Sequence, residues 1–216
     1  MGHRQTPLDV RLGLRRAIRY LREYPYEWRE RQQQHARNLD RVALLGRFIA
    51  PQGIGAELGV HKGYFSPILF THLAPRKLYL IDPWYLQSKS WCWGDGNRNA
   101  IDALRRILRE MEEDLVSGNV VLTIEDDLKA LADMPNGHLD WVYLDTTHQY
   151  QQTVKELQLL KAKVKADGII AGDDWQTDPS HEHHGLCRAV QEFVDRENYR
   201  VLHADTKSMQ WAIRSQ

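Results

Sequence analysis

Acidic side chains that follow two predicted strands carry the strongest chemical signal in the sequence. Asp145 follows the apolar run Leu139–Leu144, and Asp173 and Asp174 follow the run Gly168–Gly172. Parallel strands end at the same edge of a sheet, so these three carboxylates are expected to converge, where they repel each other and are costly to desolvate. A hard divalent cation would neutralise them, and we predict Mg²⁺, or else Mn²⁺ or Ca²⁺, bound by all three. In the alternative, one aspartate caps the next helix and the other faces solvent.

A histidine stands close to this acidic cluster in the sequence. His148 lies three residues beyond Asp145. The ordinary imidazole pKa of about 6.5 suits proton abstraction near neutral pH, so His148 is the candidate general base. The alternative is a structural histidine at the start of the helix that begins near Gln149.

The segment after the first predicted strand has the glycine spacing of a tight loop. Glu57, Gly59 and Gly63 form the pattern E-x-G-x-x-x-G. Both glycines let the chain turn sharply and approach a ligand closely. His61 stands where a dinucleotide fingerprint would require a glycine beside the pyrophosphate. A tight turn without a ligand remains open as an alternative.

Further acids follow the second and third predicted strands. Asp82 can accept hydrogen bonds from ribose hydroxyls, and Trp84 can offer an apolar face to an adenine. Asp82 can equally be a helix cap or a surface acid. In the run Glu125-Asp126-Asp127, we predict that Asp126 faces the adenine amino group and that Asp127 caps the following helix.

The elements that must position these residues alternate between strands and helices. Short apolar runs without clean alternation are typical of parallel strands buried on both faces, and a short terminal hairpin must be antiparallel. The order predicts an α/β fold with a doubly wound sheet. The predicted strands are Ile54–Val60, Lys77–Ile81, Val120–Ile124, Leu139–Leu144, Gly168–Gly172, Tyr199–His203 and Met209–Ile213. The predicted helices between them are Ser66–His72, Ala100–Leu115, Leu128–Met134, Thr153–Lys165 and Leu186–Arg196.

The first 50 residues differ from the rest in charge. They hold eleven arginines, no lysine and five acids, although the whole chain has a net charge of zero. We predict one helix around residues 14–21 and a second over about 27–48, with Leu39, Val42, Leu45 and Ile49 on one face. This divides the chain into a helical extension, residues 1–50, and a catalytic domain, residues 51–216. The extension is expected to present solvated arginines and to act as a lid or a dimer interface.

Composition excludes several classes of protein. With 29 basic and 29 acidic residues, the chain is not expected to bind nucleic acid. It contains no run of the roughly 18 apolar residues that a membrane span requires, and its start has no apolar signal region. Two cysteines, Cys92 and Cys187, form no disulfide framework. These features predict a cytoplasmic protein.

As a set, these motifs resemble the class I S-adenosylmethionine-dependent methyltransferases. More narrowly, they resemble the metal-dependent small-molecule O-methyltransferases of the catechol and macrocin type, in which acids after the fourth and fifth strands bind the metal. The resemblance covers about residues 50–216 and implies a Rossmann-like, seven-stranded sheet. It implies His148 and Asp145 as catalytic residues, and Asp145, Asp173 and Asp174 as metal ligands. The cofactor-binding residues that it implies are Glu57, Gly59, Gly63, Tyr64, Ser66, Asp82, Trp84, Asp126 and Asp145.

The resemblance predicts methyl transfer to a hydroxyl of a small molecule or natural product. A metal-bound hydroxyl has a lowered pKa and a fixed position, which favours a vicinal diol, a sugar or a catechol-like acceptor. Two loops are expected to line the acceptor pocket: the aromatic loop Trp84–Asn99, and the loop after Asp174 with His181, His183 and His184. We expect those three histidines to be solvated.

Two other classes of function remain open from the sequence. A Rossmann oxidoreductase that uses NAD would share the sheet and Asp82, and NAD(H) would then protect the protein from thermal unfolding. A catalytically inactive binding protein on the methyltransferase fold would show no affinity for S-adenosylmethionine.

Overall fold

The computed structural model describes residues 28–84 and 98–216. The helix predicted around residues 14–21 and most of the aromatic loop therefore lie outside the described residues. Within the described ranges, no helix has both the length and the apolar character that crossing a bilayer requires.

The described residues form one sheet of seven strands in the order β3-β2-β1-β4-β5-β7-β6. The first five strands along this order are parallel, and β7 runs antiparallel to both β5 and β6. The doubly wound sheet with a terminal hairpin is thereby confirmed. The strands are β1 (Ile54–Leu58), β2 (Lys77–Ile81), β3 (Val120–Thr123), β4 (Leu139–Leu144), β5 (Val164–Gly172), β6 (Tyr199–Asp205) and β7 (Gln210–Ser215).

Helices cover both faces of the sheet. The second predicted helix is found as α1 over residues 28–45. The others are α2 (Ser66–Leu73), α3 (Arg98–Glu110), α4 (Glu112–Ser117), α5 (Asp127–Asp133), α6 (Tyr150–Lys163) and α7 (His184–Arg196). Side chains of β4 alternate between two cores, because successive strand residues point to opposite faces. Val142 and Leu144 join the core under α5–α7, while Trp141 and Tyr143 join the core under α1–α4.

Most elements differ from their predicted bounds by one to three residues, and two of the differences have a cause in the structure. Strand β5 begins at Val164, because that residue already pairs with Leu139 before a shift in register. The preceding helix therefore ends two residues earlier than predicted, at Lys163. The single helix predicted over Ala100–Leu115 is broken at Met111, whose φ of −120° and ψ of 24° are not helical.

The position of α1 follows from its apolar stripe. Of the four residues predicted on this face, Val42, Leu45 and Ile49 are buried and Leu39 is half-buried. Asn38 and Arg41 fall on the same stripe and are buried as well, at 2% and 6% exposure. Burial of the stripe therefore carries a guanidinium group into the protein.

Candidate active site

The edge formed by the carboxyl ends of the strands contains a topological switch point between β1 and β4. The chain continues from β1 to one side of the sheet, whereas β4 lies on the other, which opens a crevice between the two strand ends. Gly59 follows β1 with a φ of 81°, and a Cβ there would lie 2.0 Å from the carbonyl oxygen of Asp145. Only glycine permits this close approach of the two loops.

Residues that directly follow β2 hold the loop after β1 through hydrogen bonds. Asp82 accepts a hydrogen bond from the backbone N–H of His61 at 2.7 Å, and Trp84 Nε1–H donates to the His61 carbonyl at 3.0 Å. A Cβ on Gly63, which has a φ of 67°, would lie 2.5 Å from Ile107 Cγ1. Asp82 and Trp84 thus fix the conformation of the glycine loop.

The acids on this side of the crevice have raised pKa values. Burial raises the pKa of Glu57 to about 8, although the Ser66 hydroxyl and Arg41 lower it in part. Burial also raises the pKa of Asp82 to about 6, although the hydrogen bond from the His61 N–H lowers it in part. Among the described residues, Glu57 Oε2 has no hydrogen-bond partner.

The predicted roles of Asp126 and Asp127 need one correction. Asp126, not Asp127, is the N-cap of α5, because its Oδ1 accepts from the N–H groups of Leu128 and Lys129. Asp127 is the first residue of the helix and accepts from the amide of Gln152 at 3.1 Å. Contact between Asp126 and the cofactor stays a prediction.

The structure brings Asp145, Asp173 and Asp174 together. One carboxylate oxygen from each lies within 4.8 Å of the others. Asp173 is 2% exposed, and the side chains of Asp145 and Asp174 are 27% and 18% exposed. Neither aspartate after β5 caps the next helix, whose N-cap is His183.

Two arginines of α1 neutralise much of this charge. Arg37 Nη2 lies 3.0 and 2.8 Å from the two oxygens of Asp173. Arg41 forms an ion pair with Asp173 and lies 3.3 Å from Asp145 Oδ2. The expectation that the arginines of the extension are solvated is therefore wrong for Arg41. Two guanidinium groups thus already compensate part of the charge for which a dication is predicted from the sequence.

The pKa shifts agree with this pairing. Withdrawal from water would raise the pKa of Asp145, but Arg41, His148 and Arg37 together lower it below its usual value. Burial would lower the pKa of Arg41, yet Tyr143 and the nearby carboxylates raise it. The guanidinium carbon of Arg41 also lies 5.8 Å from the centre of the Tyr143 ring, a cation–π distance. Arg41 and Asp145 are therefore both charged.

A dication bound by all three aspartates would have to displace contacts that Asp173 already makes. Asp173 accepts from Arg37 and Arg41 and also from the side-chain amide of Gln210 on β7. A carboxylate offers about four lone-pair positions, and these contacts use them. Asp174 is different, since its nearest guanidinium nitrogen, on Arg37, is 3.8 Å away.

His148 lies between two of the carboxylates. Its ring is 6% exposed, with Nε2 3.4 Å from Asp145 Oδ1 and Nδ1 3.3 Å from Asp174 Oδ2. His148 has a φ of 56°, and Gln149 is the N-cap of α6, with no hydrogen bond from its side chain. The imidazole thus faces the acidic cluster instead of serving the helix.

The histidine loop is only partly solvated. His181 is exposed, as expected, but the side chain of His183 is 14% exposed, so the expectation is wrong for that residue. The His183 ring centre lies 5.0 Å from that of His148, and its Nε2 lies 3.7 Å from Asp174 Oδ2.

Helix α1 reaches both sides of the crevice. Glu30 pairs with Lys62 at 2.6 Å and accepts from the Tyr64 hydroxyl at 3.3 Å, next to the glycine loop. Sequence reasoning missed Arg37, Arg41 and Gln210 as residues of the site. One available signal was the place of Arg41, which directly precedes Val42 in the apolar stripe.

One comparison with known proteins shows the family of this chain. A family model described as a methyltransferase domain matches residues 56–175, more than half of the chain. No curated protein sequence matches the chain. The family match favours methyl transfer over the oxidoreductase alternative.

Solved structures share the fold at low sequence identity. A SAM-dependent methyltransferase from Aquifex aeolicus is 16% identical over 79% of this chain and 86% of that one, with a TM-score of 0.54. Precorrin-6y C5,15-methyltransferase from Geobacter metallireducens is 14% identical over 86% and 88%, with a TM-score of 0.55. A protein from Corynebacterium glutamicum is 12% identical over 92% and 97%, with a TM-score of 0.59.

Proposed function

The chain belongs to the class I S-adenosylmethionine-dependent methyltransferases, and we propose that it methylates a hydroxyl oxygen of a small molecule, with His148 as the base. The observation that carries this proposal is the placement of His148 between Asp145 and Asp174, beside the switch-point crevice. In this fold, ligands bind at that crevice.

The residues around the crevice fit the cofactor. Gly59 has no side chain, so the cofactor can approach the backbone of the glycine loop closely at the strand ends. Asp82 offers a carboxylate that can accept hydrogen bonds from the ribose hydroxyls. The predicted cofactor contacts of Glu57, Gly63 and Tyr64 belong to the same proposal, as do those of Ser66, Trp84, Asp126 and Asp145. When bound, S-adenosylmethionine supplies an electrophilic methyl group on a sulfonium sulfur.

His148 is proposed to accept the hydroxyl proton of the acceptor on one specific ring nitrogen. We assign the N–H to Nε2, which faces Asp145, so that Nδ1 carries the lone pair. Nδ1 would take the proton of the acceptor hydroxyl, while S-adenosylmethionine would supply the methyl group and leave as S-adenosylhomocysteine. The resulting imidazolium lies between the Asp145 and Asp174 carboxylates, which stabilise its charge. Base catalysis of this kind contributes about 10²–10⁴-fold in rate.

No step of this scheme passes through a metal ion. The Mg²⁺ predicted from the sequence must compete with Arg37 and Arg41 for Asp173, so charge compensation by the two arginines is the proposal that the contacts support. The acceptor is proposed to be a vicinal diol, a sugar or a catechol-like compound. An N-terminal extension that acts as a lid or dimer interface, a cytoplasmic location and a role in natural-product biosynthesis all stay predictions.

The test is release of S-adenosylhomocysteine from panels of catechols, flavonoids, hydroxylated sugars and natural-product glycosides, with EDTA or with MgCl₂. We expect turnover with at least one panel, and a fall of about 10²–10⁴-fold in His148→Ala. Calorimetry should give the same S-adenosylhomocysteine affinity for both proteins, and the control His72→Ala, on the exposed face of α2, should keep its turnover.

Unchanged turnover in His148→Ala would remove the base from the scheme. Turnover that requires MgCl₂ would show that the arginines do not replace a metal. Cofactor binding without turnover on any panel would favour the inactive binding protein.

A further inference from the structure

We propose that His148, Asp174 and His183 form a binding site for a first-row transition-metal ion such as Zn²⁺, and that this ion inhibits the enzyme. The site differs from the three-aspartate site predicted from the sequence, because two of its three ligands are imidazoles. The inhibition rests on the proposed function of His148, whereas the binding does not.

The three ligand atoms stand at coordinating distances. His148 Nδ1 lies 3.3 Å from Asp174 Oδ2, and His183 Nε2 lies 3.7 Å from the same oxygen. Metal–nitrogen and metal–oxygen bonds to Zn²⁺ are about 2.0–2.2 Å, so neighbouring ligands in a tetrahedral site lie about 3.3–3.6 Å apart. The ligand atoms of all three residues lie within 4.8 Å of one another.

The surroundings of His148 fit a metal ligand. A histidine that binds a metal commonly donates its other ring N–H to a carboxylate, which fixes the tautomer and the ring orientation. Asp145 Oδ1 stands 3.4 Å from His148 Nε2, an ion-pair distance, and is the nearby carboxylate toward which this N–H would turn. Nδ1 then directs its lone pair toward Asp174 and His183.

Backbone packing holds the two histidine segments together. Gly185, near the start of α7, approaches the β4–α6 loop so closely that a Cβ would lie 2.9 Å from the N of Tyr150 and 3.3 Å from the O of His148. The segment that carries His183 is thereby fixed against the segment that carries His148. Such preformed placement favours metal binding, because little ordering of the chain remains to be done.

The ligand types select the metal. Imidazole nitrogens suit Zn²⁺, Co²⁺ and Ni²⁺, whereas Mg²⁺ prefers six oxygens in an octahedron. Asp173, the remaining acid of the cluster, is paired with Arg37 and Arg41 and stays outside the site. The ion takes the Nδ1 lone pair that would otherwise accept the hydroxyl proton, so methyl transfer stops while the ion is bound.

Calorimetric titration of the chelator-treated full chain with ZnCl₂ tests the binding. Wild-type protein should bind one ion with high affinity, and His183→Ala should bind it at least tenfold more weakly. The control His72→Ala removes a histidine elsewhere and should bind like wild type. Addition of CoCl₂ should give the visible absorption of coordinated Co²⁺ in wild type, and a much weaker band in His183→Ala.

Equal ZnCl₂ affinity of wild type and His183→Ala would overturn the site, as would MgCl₂ binding as tight as ZnCl₂ binding. Inhibition is measured separately, as the rate with ZnCl₂ divided by the same protein's rate with chelator. This ratio should fall in wild type and stay near one in His183→Ala. Zinc binding without inhibition would overturn the inhibitory part, and neither binding result depends on finding an acceptor.

Discussion

Two groups of acids lie along the same edge of the sheet in opposite electrostatic states. Glu57 and Asp82, at the ends of β1 and β2, have pKa values raised to about 8 and about 6. Asp145, directly after β4, has a lowered pKa. Withdrawal from water acts on all three in the same direction, so it does not explain the difference.

The difference comes from helix α1. Arg37 and Arg41 extend from this helix to the ends of β4 and β5, where they pair with the acids. Near the glycine loop, the same helix presents Glu30, which pairs with Lys62. The half at the ends of β4 and β5 therefore carries its own cations, whereas at the ends of β1 and β2 burial outweighs the contacts that lower the pKa values of Glu57 and Asp82. Strand-end position alone does not determine the charge of an acid.

The largest effect is expected from removing the buried cation. Arg41→Ala leaves Asp173 and Asp145 with less compensation, and removal of one partner from a buried ion pair costs about 3–5 kcal/mol. We expect the free energy of unfolding in urea to fall by about this amount. The control Arg41→Ala with Asp173→Asn removes both charges and should recover part of the loss. A single variant as stable as wild type would contradict the role given to Arg41.

A dependence on pH of opposite sign is expected on the other half of the edge. Glu57 has a folded pKa of about 8, above its ordinary value of 4.5, so the folded protein keeps a proton that the unfolded chain releases between these pH values. Its contribution to the free energy of unfolding therefore falls as pH rises from about 5 to 8, by up to about 1.4 kcal/mol per pH unit. Glu57→Gln should remove this slope in urea unfolding at pH 5, 6.5 and 8.

The matched variant is Asp145→Asn, measured over the same series extended to pH 3. Asp145 has a lowered folded pKa, so its contribution to stability is present above its ordinary value of 3.8 and is lost as pH falls through the folded pKa. Its removal should cost stability at pH 7 and less below pH 4. If both variants change the slope in the same direction, the contrast between the two halves fails.

Cofactor affinity sharpens the comparison on the uncompensated side. Asp82→Asn keeps an acceptor for the His61 N–H but loses a charged partner for ribose hydroxyls, which is expected to weaken S-adenosylhomocysteine binding about tenfold or more. In wild type, calorimetry should show affinity falling below pH 6, as the carboxylate becomes protonated. Asp140→Asn, at the opposite edge of the sheet, is the control. Loss of affinity in that control alone would contradict the assignment.

The smallest effect is expected from the second arginine. The side chain of Arg37 is 35% exposed and shares Asp173 with Arg41, so water can replace it in part. Arg37→Ala should lower the free energy of unfolding by about 1 kcal/mol or less. A loss as large as that of Arg41→Ala would show that the two arginines act as one unit.

Much of the fold could be predicted from the sequence, because buried parallel strands are short, apolar and separated by helices. Strands Lys77–Ile81 and Leu139–Leu144 have the predicted bounds. The break at Met111 and the early start at Val164 could not be predicted, since both depend on packing and register across the sheet.

The site was predictable only in part. The end of each strand can be predicted from its apolar run, so the carboxylates that follow it can be located in the sequence. Asp145, Asp173 and Asp174 do converge in the structure. Their counter-charges come from residues more than 100 positions away in the chain, and no local pattern links Arg41 to Asp173. In the sequence, an arginine on a solvated helix face cannot be distinguished from a buried one until the packing of the helix is known.

Asp173 has a consequence for how the chain holds together. It joins helix α1, through Arg37 and Arg41, to the last strand of the chain, through Gln210 on β7. If either α1 or β7 separates from the sheet, a buried charged group loses its partner. Detachment of one element is therefore expected to destabilise the other. We therefore expect the contacts of Asp173 to make α1 and β7 unfold together rather than one after the other.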